Sequence, residues 1–287
     1  MISPEVWKEI SKIFFAVRRS VQSVFAGEYR SIFKGQGLEF EEVREYIPGD
    51  DVRNIDWKVT ARYGRPYIKK YIEERELTIV ILLDLSGSLD FGTSKTKKEL
   101  AAEITALLSW AAVMNNDRIG MLIFSDKVEK YVRPHKGKHQ VLKLIREVLV
   151  YPPSGSRTDL KGALEYIYRM MKKRAVIFVI SDFYDQEYSK PLKITAQKHD
   201  LIPVVISDPW EEDVDFKGDF YVEDGETNDL FFLSGSKRQE IKKELLKMKA
   251  ERRQIFKDAG LDYLMLYTDR PYLKDLFMFF QKRFGRR

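Results

Sequence analysis

The chain of 287 residues contains no cysteine. Disulfides, thiolate metal sites and a cysteine nucleophile are therefore excluded, and the zero fits any compartment. Histidine is nearly as scarce: only His135, His139 and His199 occur, the first two after an expected edge strand and the third at a helix end. No run reaches the roughly 18 apolar residues that a transmembrane helix needs. Met1 to Gly27 carries charges throughout and lacks a secretory apolar core, so a cytoplasmic protein is expected. The pattern G-x-x-x-x-G-K-[ST] is absent, which argues against a P-loop nucleotide hydrolase. Neither internal repeats nor low-complexity segments occur. The excess of 50 Lys+Arg over 44 Asp+Glu is small and reads as a solvated, salt-bridged surface rather than a nucleic-acid interface.

What is present is a series of short apolar runs separated by amphipathic segments. Ile79–Leu83 reads as a strand buried on both faces, ending in Asp84-Leu85-Ser86-Gly87-Ser88. Further buried strands are expected at 119–124, 175–180, 202–206 and 263–267, with an edge strand at 127–133. Helices are expected at 94–115, 137–149, 160–172, 189–199, 236–259 and 271–284. A small hairpin at 219–223 and 230–233 turns at Asp224-Gly225. This order predicts a doubly wound, mostly parallel α/β sheet of the Rossmann type over 77–287. Residues 1–76 form a separate segment: a helix over 3–26, then an irregular β-rich extension with a strand at 65–74. The helix carries Val6, Ile10, Ile13, Val17 and Val21 on one stripe. It either packs on its own domain or offers a dimerising or membrane-surface face. In the extension, Asp50, Asp51 and Asp56 either gather a cation or pair with Arg44, Arg53 and Arg62; ion pairs are the favoured reading.

Ligands in open α/β sheets bind at the carboxyl ends of the strands. Asp84, Ser86 and Ser88 put one carboxylate and two hydroxyls on one tight loop there. That is a donor set for a hard cation, Mg²⁺ or Mn²⁺. Thr158 stands at a helix start and Asp182 directly follows a strand, so both are candidates to complete the site. The alternative is a network of turns and helix caps. With only two carboxylates, such a metal keeps an exchangeable position and attracts an external carboxylate.

Asp84-x-Ser86-x-Ser88, Thr158 and Asp182, with Asp117-Arg118-Ile119-Gly120 between, resemble the metal-ion-dependent adhesion site of a von Willebrand factor type A domain. The resemblance implies a bound divalent ion that grips an acidic side chain of a partner protein. Gly35-x-Gly37-x-Glu39-Phe40, Arg44-x-Tyr46, Gly49-Asp50-Asp51-x-Arg53-x-Ile55-Asp56-Trp57 and Ala61-Arg62 resemble the signature of the domain of unknown function 58 family. That likeness implies an association with MoxR-type AAA+ ATPases in the assembly or maturation of protein complexes. Some members of the family carry membrane helices; none is expected here.

A non-enzymatic, metal-dependent interaction module is thus the leading expectation. A Mg/Mn-dependent phosphoesterase is the alternative, weakened because no His, Glu or Lys stands beside the motif as a general base. Attachment to an anionic surface is a third reading, through Arg133-x-His135-Lys136-x-Lys138 or the tail Lys282-Arg283-x-x-Arg286-Arg287, which would make the protein membrane-peripheral. Nucleic acid is not expected as a partner. The sequence carries no signature of an oligomeric state.

Overall fold

The computed structural model describes residues 36–74, 76–212, 218–227 and 229–284, together with Ile10 and Ile13. The expected amino-terminal helix lies outside these residues except at those two positions, which are helical and buried. The chain separates into two compact units, one of Phe33–Leu77 and one containing Thr78–Arg287.

The smaller unit is more regular than its composition suggests. β1 (Gln36–Glu45) pairs in antiparallel fashion with the later strand of this unit, Tyr67–Glu74. Between them, α1 (Trp57–Tyr63) begins at Asp56, whose carboxylate accepts from the N–H groups of Lys58 and Val59, and ends at Gly64 with φ 69°. These are the chemical signals of a helix start and stop. The irregular segment expected here is corrected accordingly. The strand expected at 65–74 is β2 (Tyr67–Glu74), and its partner is β1. The acids are ion-paired: Arg44 meets Asp50 at 2.7 Å and Arg53 meets Asp51 at 2.9 Å. Asp56 takes Lys69 at 3.4 Å instead of Arg62, whose guanidinium lies over the Tyr63 ring. Each of these three acids has its own cation.

The larger unit contains β3 (Thr78–Asp84), α2 (Lys97–Met114), β4 (Arg118–Phe124), β5 (Val128–His135), α3 (Lys138–Val150), α4 (Leu160–Met170), β6 (Val176–Ser181), α5 (Ser189–Lys198) and β7 (Asp200–Ser207). β8 (Phe220–Glu223), β9 (Leu230–Leu233), α6 (Arg238–Asp258), β10 (Leu264–Tyr267) and α7 (Leu273–Phe284) follow. Six strands form one sheet in the order β10-β7-β6-β3-β4-β5, with every neighbouring pair parallel except β4 and β5. The result is a mixed α/β architecture with a mostly parallel central sheet, consistent with a von Willebrand factor A-like fold.

Alternation along the strands assigns the two faces. Val80, Leu82, Leu122, Phe124, Ile177 and Val179 form one buried cluster with Leu164 of α4, Leu192 of α5 and Phe256 of α6. Phe178 points the other way and meets Phe280 of α7 edge-on, with ring centroids 6.2 Å apart. α2 packs against α3 and against β3 and β4. Burying a Leu or Ile fully is worth about 1.5–3 kcal/mol. A strand such as β3, buried from Ile79 to Asp84, is therefore held firmly in place. α2 starts two to three residues later than its apolar pattern suggests, because Thr96 and Glu99 close a reciprocal capping box.

Candidate metal centre

β3 and β6 are adjacent and parallel, with Leu83 opposite Ile180, so the acids that follow each strand reach the same rim. Asp84 is fully buried. One carboxylate oxygen accepts from the Ser86 N–H at 2.9 Å and the other from the Ser181 hydroxyl at 2.7 Å. The Ser86 and Ser88 hydroxyls lie 3.1 Å apart. The Gly87 N–H donates to the Ser156 carbonyl at 2.8 Å, which ties the Asp84–Ser88 loop to the loop bearing Thr158.

That second loop is itself anchored. Glu129 of β5 accepts from the Ser125 hydroxyl, the Ser154 N–H and hydroxyl and the Gly155 N–H. Burial would raise its pKa, but these donors outweigh burial and hold it at about 2. Gly155 lets the Asp126 carboxylate lie close against the loop, since a Cβ would stand 2.0 Å from its oxygen and push that side chain aside. The Asp159 N–H donates to the Ser125 carbonyl at 2.7 Å, and its side chain caps α4. Thr158 is therefore held by the β4–β5 turn, a connection invisible in its local sequence.

Asp182, also buried, has a different environment. One oxygen takes the Lys97 ammonium at 2.9 Å; the other has only a long bond from the Tyr184 N–H at 3.5 Å. Lys97 is fully buried and also binds Glu211 at 2.7 Å. Arg252 donates to the Asp182 carbonyl at 2.7 Å. The next residue, Phe183, sits at φ 58°, a left-handed conformation costly for a side chain of its size. Thr158 donates its hydroxyl to Glu226, at 2.7 Å. The expectation that no Glu or Lys stands beside the motif is thereby corrected: Lys97, Glu211 and Glu226 all do. Lys97 had a legible signal, because it falls on the same helical stripe as the buried Ala101, Ile104 and Leu108. Glu211 and Glu226 arrive from distant segments and had none.

Burial pushes Asp84 up to about 7, and the neighbouring Asp182 charge adds to the effect. Burial also raises Glu211 and Glu226. Lys97 answers Asp182 and Glu211, whereas Asp84 and Glu226 feel the Asp182 charge with no cation of their own among the described residues. A carboxylate, clustered hydroxyls and excess negative charge fit a hard divalent cation. Among the described residues, no group of three or more His, Asp or Glu side chains forms a metal cluster by itself, so hydroxyls must share in any such site.

His135 and His199 stand by the amino ends of the parallel strands, away from the rim. His135 pairs with Ile119 at the start of β4, His139 opens α3, and His199 accepts from the Ala175 N–H at the start of β6. The basic segments are partly committed. Arg283 pairs with Asp200 and Asp262, and Lys138 lies over the Trp110 ring. Among the described residues, no helix is long and apolar enough to cross a membrane.

A family model described as protein of unknown function DUF58 matches residues 42–255. The chain belongs to this family. An uncharacterized protein of Mycobacterium tuberculosis is 29% identical to this DUF58 chain over 98% of its length and 90% of the relative's. Among solved structures, the conserved hypothetical protein BatB from Bacteroides thetaiotaomicron aligns with a TM-score of 0.50 at 15% identity. That alignment covers 74% of this chain and all of BatB, and it supports the fold alone. Proximal thread matrix protein 1 from the mussel byssus, solved with zinc in its MIDAS motif, aligns at a TM-score of only 0.37 and 12% identity. It covers 72% of this chain and 69% of that one, a likeness too distant to bear on the site.

Proposed function

We propose that this DUF58 protein is a metal-dependent protein-interaction module with a doubly wound von Willebrand factor A-type domain. Asp84, Ser86, Ser88, Thr158 and Asp182 are its Mg²⁺ or Mn²⁺ site. The observation that carries the reading is the meeting of their three loops at one rim, where acids outnumber cations. Asp84 and the hydroxyls are the direct donors in this reading. Asp182, already bonded to Lys97, acts mainly through its charge. The partner supplies an acidic side chain, and a MoxR-type AAA+ ATPase is the partner class we favour, with a role in assembly or maturation of complexes.

The module has no catalytic function in this proposal. Lys97 is locked between two acids: burial alone would lower its pKa, but the charges and hydrogen bonds of Asp182 and Glu211 outweigh burial and raise it, so it is no proton acceptor. Mn²⁺ calorimetry tests the reading. Asp84→Ala is expected to abolish binding, while Asp50→Ala leaves it unchanged. Capture of the AAA+ partner from the native cell is expected to fail in EDTA. Equal Mn²⁺ affinity in wild type and Asp84→Ala would refute the metal site.

A further inference from the structure

The β8–β9 hairpin is a two-stranded sheet of its own, yet its tip is seated on the rim of the metal centre. The fit is close enough to need glycine on both sides. A Cβ on Gly87 would lie 1.7 Å from the Gly225 carbonyl oxygen, and one on Gly225 would lie 2.8 Å from that of Gly87. The turn is built to present the next residue. Asp224 accepts from the N–H groups of Glu226 and Thr227 at 2.7 and 3.1 Å. Glu226 then makes two contacts with the Thr158 loop: its carboxylate accepts from Thr158 at 2.7 Å, and its carbonyl accepts from the Ser156 hydroxyl.

This half-buried carboxylate has no Lys or Arg partner among the described residues, while the charges of Asp182, Asp224 and Asp185 act on it unfavourably. An acid placed among acids, and held by one of the expected metal-site hydroxyls, lacks a counter-charge among the described residues. A divalent ion at the rim supplies it.

We propose that Glu226 is the chain's own ligand for the acid-binding position of this site, and that the hairpin is a plug which an acidic partner must displace. The inference rests on the metal-dependent reading above. It makes the resting protein self-occupied: partner affinity is set by the competition between an external carboxylate and Glu226. The hairpin is suited to leaving. Apart from its tip, it engages the domain through one face, where Val222 and Leu233 line a cleft with Trp210 and Ile241. Its other face is open to solvent, with the Tyr221 and Phe232 rings tilted against each other at a centroid distance of 5.3 Å.

The test uses Mn²⁺ on the full chain, with affinity read by calorimetry and bound water by proton relaxation. Glu226→Gln keeps an acceptor for Thr158 but removes the charge. It is expected to weaken Mn²⁺ binding and to add about one exchangeable water per bound ion. Gly225→Ala lies on the hairpin, outside the ligand loops, and puts a Cβ 2.8 Å from the Gly87 carbonyl oxygen, which drives the tip away; the same gain in water is expected. If Mn²⁺ binds in an Asp84-dependent way but both variants match wild type in affinity and relaxation, the plug is refuted and the metal site stands. If Mn²⁺ binding ignores Asp84→Ala, both readings fall.

Discussion

Two groups of aspartates in this chain look alike on paper and have opposite fates. Asp50, Asp51 and Asp56 lie in the smaller unit. Bonds from Arg44 and Arg53 hold the first two below the usual carboxylate range. The Val59 N–H, with help from Lys69, does the same for Asp56. Asp84 and Asp182 lie at the rim of the larger sheet, buried and close enough for their charges to interact. The first group is finished: every charge is answered locally. The second remains electrostatically unfavourable, which a folded protein tolerates where the imbalance serves a purpose. Local pairing versus shared burial, rather than acid count, separates a structural turn from a candidate site.

The comparison can be broken experimentally. The largest effect is expected from Lys97→Met, which leaves Asp182 and Glu211 without the ammonium between them. Losing one partner of a buried ion pair costs about 3–5 kcal/mol, readable by urea denaturation. A loss below about 1 kcal/mol would mean that water already screens this cluster, as at exposed pairs. Next is Asp84→Asn in EDTA. The folded-state pKa of Asp84 is raised from 3.8 to about 7, so the folded chain holds a proton that the unfolded chain releases. Wild-type stability therefore falls as pH rises from about 4 to about 7 on account of this group. The variant should be the more stable above pH 7, with the gap closing near pH 4. A constant gap in urea midpoint across that range would remove Asp84 from the unfavourable group. Asp56→Ala should cost less, through the lost cap of α1, and Asp51→Ala least of all, with nothing measurable. Thermal scans of the two side by side would check that order.

Much of the larger unit was legible because most strands of its sheet are continuous apolar runs and its helices carry apolar stripes, with side-chain caps at α2 and α4. The rim position of the proposed ligands was legible for a related reason: Asp84 and Asp182 stand at the ends of such runs, and Thr158 directly precedes the cap of α4. β1 was hidden. Its pairing with β2 shifts register between Phe40 and Glu42, so no single alternation runs through it. α1 is only seven residues long and is declared by its ends, Asp56 and Gly64, rather than by periodicity. Glu226 was unreadable for a deeper reason. Its role depends on a contact with Thr158 that spans 68 residues, and no local pattern encodes that distance.

One topological fact separates the two sides of the rim in time. β3 is hydrogen-bonded on both edges, to β4 and to β6, in the interior of the six-stranded sheet. Its amides exchange with solvent only when the whole domain opens. The β8 and β9 strands pair only with each other, and beyond them the hairpin is tied by the two Glu226 contacts with the Thr158 loop, so it opens at lower cost. Hydrogen exchange is therefore expected to be slowest in the strand that ends at Asp84 and faster in the hairpin that carries Glu226, so the two sides of the rim open on separate clocks.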